Sequence, residues 1–70
     1  MVRIGAQLKK AREQALLTQE DLAACAELGV PTISRIENGW VEPHFRTIRK
    51  LAKALGLDPA ELVREEGDDA

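Results

Sequence analysis

Apolar residues recur along most of this chain at intervals of three and four positions, the spacing of one face of an α-helix. Ile4, Leu8, Ala11 and Ala15 form the first such stripe and predict an amphipathic helix near the N-terminus. β-Branched residues are scattered, and the chain contains only one Trp and one Phe. The pattern therefore predicts an all-α fold.

A second helix is predicted to begin after Thr18. The hydroxyl of Thr18 can accept a hydrogen bond from the backbone N–H of Asp21, and the Asp21 carboxylate can reach back to the cap. The inner face of this helix then consists of Leu22, Ala23 and Ala26. Because the two alanine side chains are small, another helix can approach closely.

A third helix is predicted to run from Val30 to Asn38. Gly29 precedes it as the cap, and Pro31 lies in its first turn, where a missing N–H is tolerated. Gly39 follows in the left-handed conformation that helix ends favour.

A fourth helix is predicted to end at Gly56, with apolar residues on one side and basic residues on the other. Asp58 and Pro59 predict the start of a short fifth helix. The inward side of the fourth helix is predicted to hold Phe45, Ile48, Leu51, Ala52 and Leu55, and the outward side Arg46, Arg49, Lys50 and Lys53.

The net charge of −2 conceals an uneven distribution. Residues 1–56 carry nine Lys and Arg against six Asp and Glu, which gives +3, whereas residues 57–70 carry one against six, which gives −5. We expect residues 65–70 to be a disordered acidic tail and residues 1–64 to form the single domain of the chain. The acidic total therefore does not exclude a nucleic-acid partner.

The 70-residue chain has one Cys and one His, too few for an intrachain disulfide or a four-ligand zinc site. Its apolar runs are far shorter than 18 residues, and its first residues lack the apolar stretch of a signal peptide. We expect a cytoplasmic protein with no metal, no cofactor and no membrane partner. The sequence also lacks a Cys-His or Ser-His arrangement and a Gly-rich phosphate loop, so we do not expect an enzyme.

The second and third predicted helices are short and separated by a tight turn, the layout of a helix-turn-helix. The residues that fill this layout are distinctive, namely Leu17–Ala23, Thr32–Gly39, Pro43, Thr47 and Leu51–Gly56. With them the sequence closely resembles the phage repressor and Cro type of helix-turn-helix domain, from about residue 4 to residue 63. The resemblance implies a compact, lambda-repressor-like five-helix bundle that binds DNA.

The third helix would be the one that reads the DNA. With Ile33 pointing inward and 100° per residue, Pro31, Ser34, Arg35 and Asn38 point away from the bundle. Arg35 is best suited to a specific contact because its planar fork matches the O6 and N7 acceptors of guanine, although a solvated surface arginine is the alternative. The base-reading positions that the resemblance implies are Val30, Pro31, Thr32, Ser34 and Arg35.

Other residues are candidates for contacts to the DNA backbone. Gln19, at the first position of the second helix, resembles the glutamine of the family that hydrogen-bonds a phosphate. The resemblance also implies a structural pair between Arg12 and Glu37. The remaining backbone candidates are Lys9, Lys10, Asn38, Arg46 and Arg49, and the alternative for the basic ones is a merely solvated surface.

The sequence departs from the family at several positions. Leu16 and Glu27 stand where the family usually has glycine, so both turns must be strained or change geometry. Cys25 is expected to be a small packing residue of the second helix. Trp40 and Val41 occupy a loop that is usually polar, where Trp40 could cover Phe45, pack against the DNA backbone, or contact a protein partner or dimer mate.

The resemblance and the outward face together predict a sequence-specific repressor that acts as a homodimer on an inverted repeat, because one module reads only a few base pairs. Leu57, Leu62 and Val63 suggest the dimer contact, since so short a helix buries little by itself. The alternative is an antitoxin or adaptor that acts mainly through protein contacts at Trp40 and Val41.

Overall fold

The computed structural model describes residues 4–63, which form five α-helices and contain no strand. The predicted all-α five-helix fold is therefore confirmed, while the predicted acidic tail lies outside the described residues. None of the helices in the described range is long and apolar enough to cross a membrane. The helices are α1 (Gly5–Gln14), α2 (Gln19–Ala26), α3 (Val30–Glu37), α4 (Phe45–Leu55) and α5 (Pro59–Val63).

The helices pack around one apolar core. α2 contacts both α3 and α4, α5 lies against α4, and α1 contacts α3 and α5. Every helix contributes to the core, and the inward faces predicted for α2 and α3 are those that are buried. The buried apolar residues are Ile4, Leu8, Leu22, Ala23, Ala26, Ile33, Ile36, Ile48, Leu51, Ala52 and Leu62.

The start of α2 is fixed by the predicted capping box. Asp21 N–H donates to Thr18 Oγ at 3.0 Å, and Thr18 N–H donates to Asp21 Oδ2 at 3.0 Å. The hydrogen bond from the Thr18 backbone N–H to the Asp21 carboxylate lowers the pKa of Asp21, and a hydrogen bond with the Thr18 side chain lowers this pKa further. These reciprocal bonds orient the first turn of α2, where Gln19 lies.

The first four helices end in the same way. The backbone turns left-handed at one residue, and the N–H of the next residue donates to the carbonyl five positions earlier, as in a Schellman motif. The sequence left open whether Leu16 and Glu27 would keep this geometry, and both do so at positive φ, a strained conformation for residues with a Cβ. The left-handed residues are Leu16, Glu27, Gly39 and Gly56.

Three apolar residues that we predicted to pack inward lie on the surface. α1 ends at Gln14, so Ala15 caps the helix and is exposed. Cys25 is exposed because it lies roughly 110° from the centre of the buried face of α2. Phe45 is 76% exposed because it is the first residue of α4, and a helical side chain leans toward the turn before it, which here is a loop.

Candidate nucleic-acid interface

α2 and α3 form a helix-turn-helix. Each has eight residues, and the short connection between them turns at the left-handed Glu27. α3 ends at Glu37, one residue earlier than predicted, and Asn38 is its C-cap. Buried Ile33 and Ile36 hold α3 against the core, so its opposite side faces outward.

The outward side of α3 is polar and partly exposed. Pro31 and Arg35 are exposed, while Thr32 and Ser34 are half-buried. Within residues 4–63 the Arg35 guanidinium has neither a hydrogen bond nor an ion pair with a side chain. This side of the helix therefore presents a cation that is available to a ligand.

Three of the predicted contact residues are less available. Val30 is half-buried and packs against the apolar core, because it begins α3 directly after the turn. Ser34 Oγ accepts a hydrogen bond from Asn38 Nδ2 at 3.3 Å, so these two polar side chains already interact on the surface of α3.

The predicted Arg12–Glu37 pair is present and mostly buried. Arg12 Nε donates to Glu37 Oε2 at 2.7 Å and Arg12 Nη2 donates to Oε1 at 3.3 Å. The two side chains are only 11% and 3% exposed. The hydrogen bond to Glu37 raises the pKa of Arg12, against the opposing effect of burial. This bidentate pair joins α1 to the end of α3.

The same pair also holds the start of α2. Arg12 Nη1 donates to the Leu17 carbonyl at 2.8 Å, and Gln19 Nε2 donates to Glu37 Oε1 at 3.0 Å. Sequence reasoning assigned Gln19 to a phosphate and missed this contact, since the two residues are far apart in sequence and no local pattern connects them. One proton of the Gln19 amide nitrogen remains for a further acceptor.

The basic residues assigned to the DNA backbone are exposed, as predicted. On α4 the cations lie three and four positions apart and form one stripe opposite the buried Ile48 and Leu51. The exposed set is Lys9, Lys10, Arg46 and Arg49, with Lys50 and Lys53 continuing the stripe on α4.

The loop after α3 exposes large apolar side chains. Trp40 is 75% exposed, Val41 45% and Phe45 76%, and we refer to these three residues as the apolar patch. The alternative in which Trp40 covers Phe45 is therefore wrong. A groove of about 260 Å³ adjoins the patch and is lined by Glu42, Pro43, His44, Phe45, Ile48 and Val63.

Comparison with known proteins agrees with this geometry. A family model described as helix-turn-helix matches residues 8–62. The chain is 40% identical over 68 residues to the HTH-type transcriptional repressor RghR of Bacillus subtilis strain 168, covering 96% of this chain and 50% of that protein. The chain spans about half the length of three of the curated relatives it matches.

Two solved structures have similar folds. The restriction-modification controller protein C.AhdI from Aeromonas hydrophila superimposes with a TM-score of 0.83 at 34% identity, covering 87% of this chain and 92% of that chain. The P22 c2 repressor protein, solved in complex with synthetic operator 9T, gives a TM-score of 0.81 at 25% identity, covering 97% of this chain and 100% of that chain.

Proposed function

Because this chain belongs to the helix-turn-helix family of DNA-binding transcriptional regulators, which are not enzymes, we propose that it represses transcription by occupying a specific operator. The observation that carries the proposal is the outward side of α3, where Arg35 is exposed and has no partner among the described residues. A repressor neighbour solved with an operator supports the same role for this fold.

Contacts to phosphates would position the domain. Gln19 can donate its second amide proton to a phosphate oxygen at the N-terminus of α2, where the helix dipole favours an anion. Its side chain is held for this contact by Glu37. The exposed Lys9, Lys10 and Arg49 add charge that neutralises phosphates and makes binding depend on salt.

Base edges would be read by α3 in the major groove. Arg35 would donate two hydrogen bonds to a guanine, and Pro31 with the Thr32 methyl group would contact thymine methyl groups. Val30 would contribute less to the base contacts than the resemblance implied, since part of its side chain lies against the core. Ser34 and Asn38 would contact DNA as a hydrogen-bonded pair.

We further propose that the chain acts as a homodimer on an inverted repeat. One α3 spans only a few base pairs, so useful specificity requires two copies related by a two-fold axis. Action on an operator also agrees with the cytoplasmic location expected from the sequence.

Selection from random duplexes tests DNA binding and gives the operator. Arg35→Ala should then lose discrimination at one base pair per half-site, by about 1–3 kcal/mol, because only the base-edge contact is removed. Binding of the variant to a series of single-base operator changes measures this effect.

Lys53→Ala is the matched control, since it removes an exposed cation at the far end of α4. It should weaken binding slightly and equally for every operator. Equal weakening by Arg35→Ala at all operators would show that Arg35 contacts only phosphate.

The second candidate function is an adaptor that binds a protein through Trp40 and Val41, and the exposure of both residues favours it. An adaptor of this kind would bind its partner unchanged when Arg35 is replaced. Failure of the wild-type protein to enrich any duplex in the selection would favour this candidate over the repressor.

A further inference from the structure

We propose that the apolar patch and its groove form the face through which two copies of this chain pair. In this arrangement Trp40 of each copy enters the groove of the other copy. The inference names the contact surface of the homodimer and so rests on the proposed function.

Trp40 differs from the residues at the equivalent helix ends. The residue after the left-handed position usually makes an apolar contact with its own helix. Leu28 and Leu57 follow this rule and pack against the core, and Leu17 is half-buried. Trp40 makes the same backbone bond but is 75% exposed. The backbone part of the motif is complete here, while most of the residue stays on the surface.

The exposed indole is attached to a fixed main chain. Trp40 N–H donates to the Arg35 carbonyl at 2.9 Å, and Gly39 N–H donates to the Ile36 carbonyl at 3.0 Å. A side chain on an ordered backbone loses less conformational entropy when it binds. Because the bond reaches the carbonyl of Arg35, a contact at Trp40 would also fix the position of α3.

The patch and the groove are close enough to be self-complementary. Phe45 belongs to both, and Trp40 precedes the groove residues Glu42 and Pro43 by two and three positions. A two-fold interface uses the same surface on both copies, so a projecting side chain beside an apolar groove can be exchanged reciprocally.

The residues that we predicted for the dimer contact are mostly used elsewhere. Leu62 is 1% exposed and so cannot form an interface, whereas Leu57 and Val63 are both half-buried and pack partly against the core. Val63 also lines the groove. The apolar side chains beside the groove that are most exposed are Trp40 and Phe45, and we therefore place the pairing surface there rather than on α5.

Charge favours a second copy over DNA at this surface. Glu42 lines the groove and would repel a phosphate, whereas Arg46 is exposed in the first turn of α4. Across a two-fold axis, Glu42 of one copy can meet Arg46 of the other. The aromatic side chains and the grooves that they cover would bury on the order of 1,000 Å² in total, the size of a weak interface.

Fluorescence and sedimentation together test the proposal, because Trp40 is the single tryptophan of the chain. We expect the free protein to emit as exposed tryptophan when dilute, and to shift to the blue as concentration rises and the dimer forms. Trp40→Ala should weaken self-association by about tenfold or more, as for a central aromatic contact. Leu16→Ala is the control, since Leu16 is 91% exposed but lies outside the groove, and it should behave as wild type.

A duplex with one half-site separates pairing from DNA contact. One chain bound there should leave the emission unchanged, whereas two chains on the full operator should shift it to the blue. A blue shift of the tryptophan emission when one chain binds the half-site would overturn the inference. So would a dimer whose emission is not shifted, or a Trp40→Ala variant that dimerises as strongly as wild type. If no DNA is bound at all, the repressor proposal fails, and the concentration series on free protein still decides the pairing surface.

Discussion

At Gly5 the backbone of α1 lies very close to the backbone at the end of α3. A Cβ at this position would lie 2.5 Å from the Ile36 carbonyl oxygen and 2.9 Å from that of Glu37. Both atoms belong to the backbone, so they cannot move aside as a flexible side chain would. The sequence analysis assigned no role to this glycine, because close approach of two backbones depends on how two distant segments cross.

Gly5→Ala should destabilise the domain by about 1–3 kcal/mol, the usual effect of overpacking, because α1 must move away from α3. Urea denaturation measures the change. Gly29→Ala is the control, since its Cβ would meet Pro31 Cδ at an ordinary 3.6 Å, and Gly29 has a φ of −82°. Equal midpoints for the two variants would contradict the prediction.

Glu37 accepts three side-chain hydrogen bonds, two from Arg12 and one from Gln19. Glu37→Ala should lower the free energy of unfolding by on the order of 3 kcal/mol, since it leaves the Arg12 charge mostly buried without its partner. Thermal melts of Glu37→Ala, Arg12→Ala and the double variant measure this, and the double variant should lose much less than the sum of the two.

Lys50→Ala removes an exposed charge on α4 and should change stability by less than about 0.5 kcal/mol. If Glu37→Ala melts like Lys50→Ala, the Arg12–Glu37 pair contributes little in solution.

At the scale of the helices, the ends that are fixed by local hydrogen bonds could be predicted from the sequence. The capping box at Thr18 and the left-handed Gly39 and Gly56 act through backbone bonds over three to five residues, and the sequence specifies them directly. The inward direction of Phe45 was predicted wrongly, because the helical period does not say whether a partner element lies beside the first turn.

The end of α1 offers a stabilising substitution. Leu16 has a φ of 61° and is 91% exposed, so its side chain strains the backbone and packs against little. Leu16→Gly should raise the free energy of unfolding by about 0.5–1 kcal/mol, because relief of the strain outweighs the added entropy of the unfolded chain. Chemical denaturation measures the gain.

Ala15→Gly is the matched control on the preceding residue. Ala15 has a φ of −84°, where glycine brings no relief, so this variant should be less stable than wild type. A loss of stability in Leu16→Gly as well would show that the left-handed conformation is not strained in this turn.

At the scale of the whole molecule, a homodimer would fix the distance between two α3 helices. The two α3 helices should lie about one turn of DNA apart, near 34 Å. Sedimentation on operators with varied half-site spacing should give two chains per site at one spacing. Adding about 5 base pairs, half a turn, should abolish cooperative binding. Two chains bound equally well at every spacing would show that the copies do not contact each other.

The sequence by itself determined the five helices, most of their buried faces and the family. Apolar periodicity and capping act within a few residues, so they can be identified without knowing how the helices pack. The same applies to the exposed Arg35, whose outward direction follows from its angle to Ile33. The Arg12–Glu37 pair was found through the family resemblance.

Only the tertiary structure decided which surfaces meet. The bond from Gln19 to Glu37 and the backbone contact at Gly5 depend on how segments that are distant in sequence cross. The exposure of Trp40 depends on how the rest of the described fold packs around its loop. Local hydrogen bonds and periodicity carry no information about such crossings, because they fix the direction of a side chain relative to its own helix and not the group that it meets.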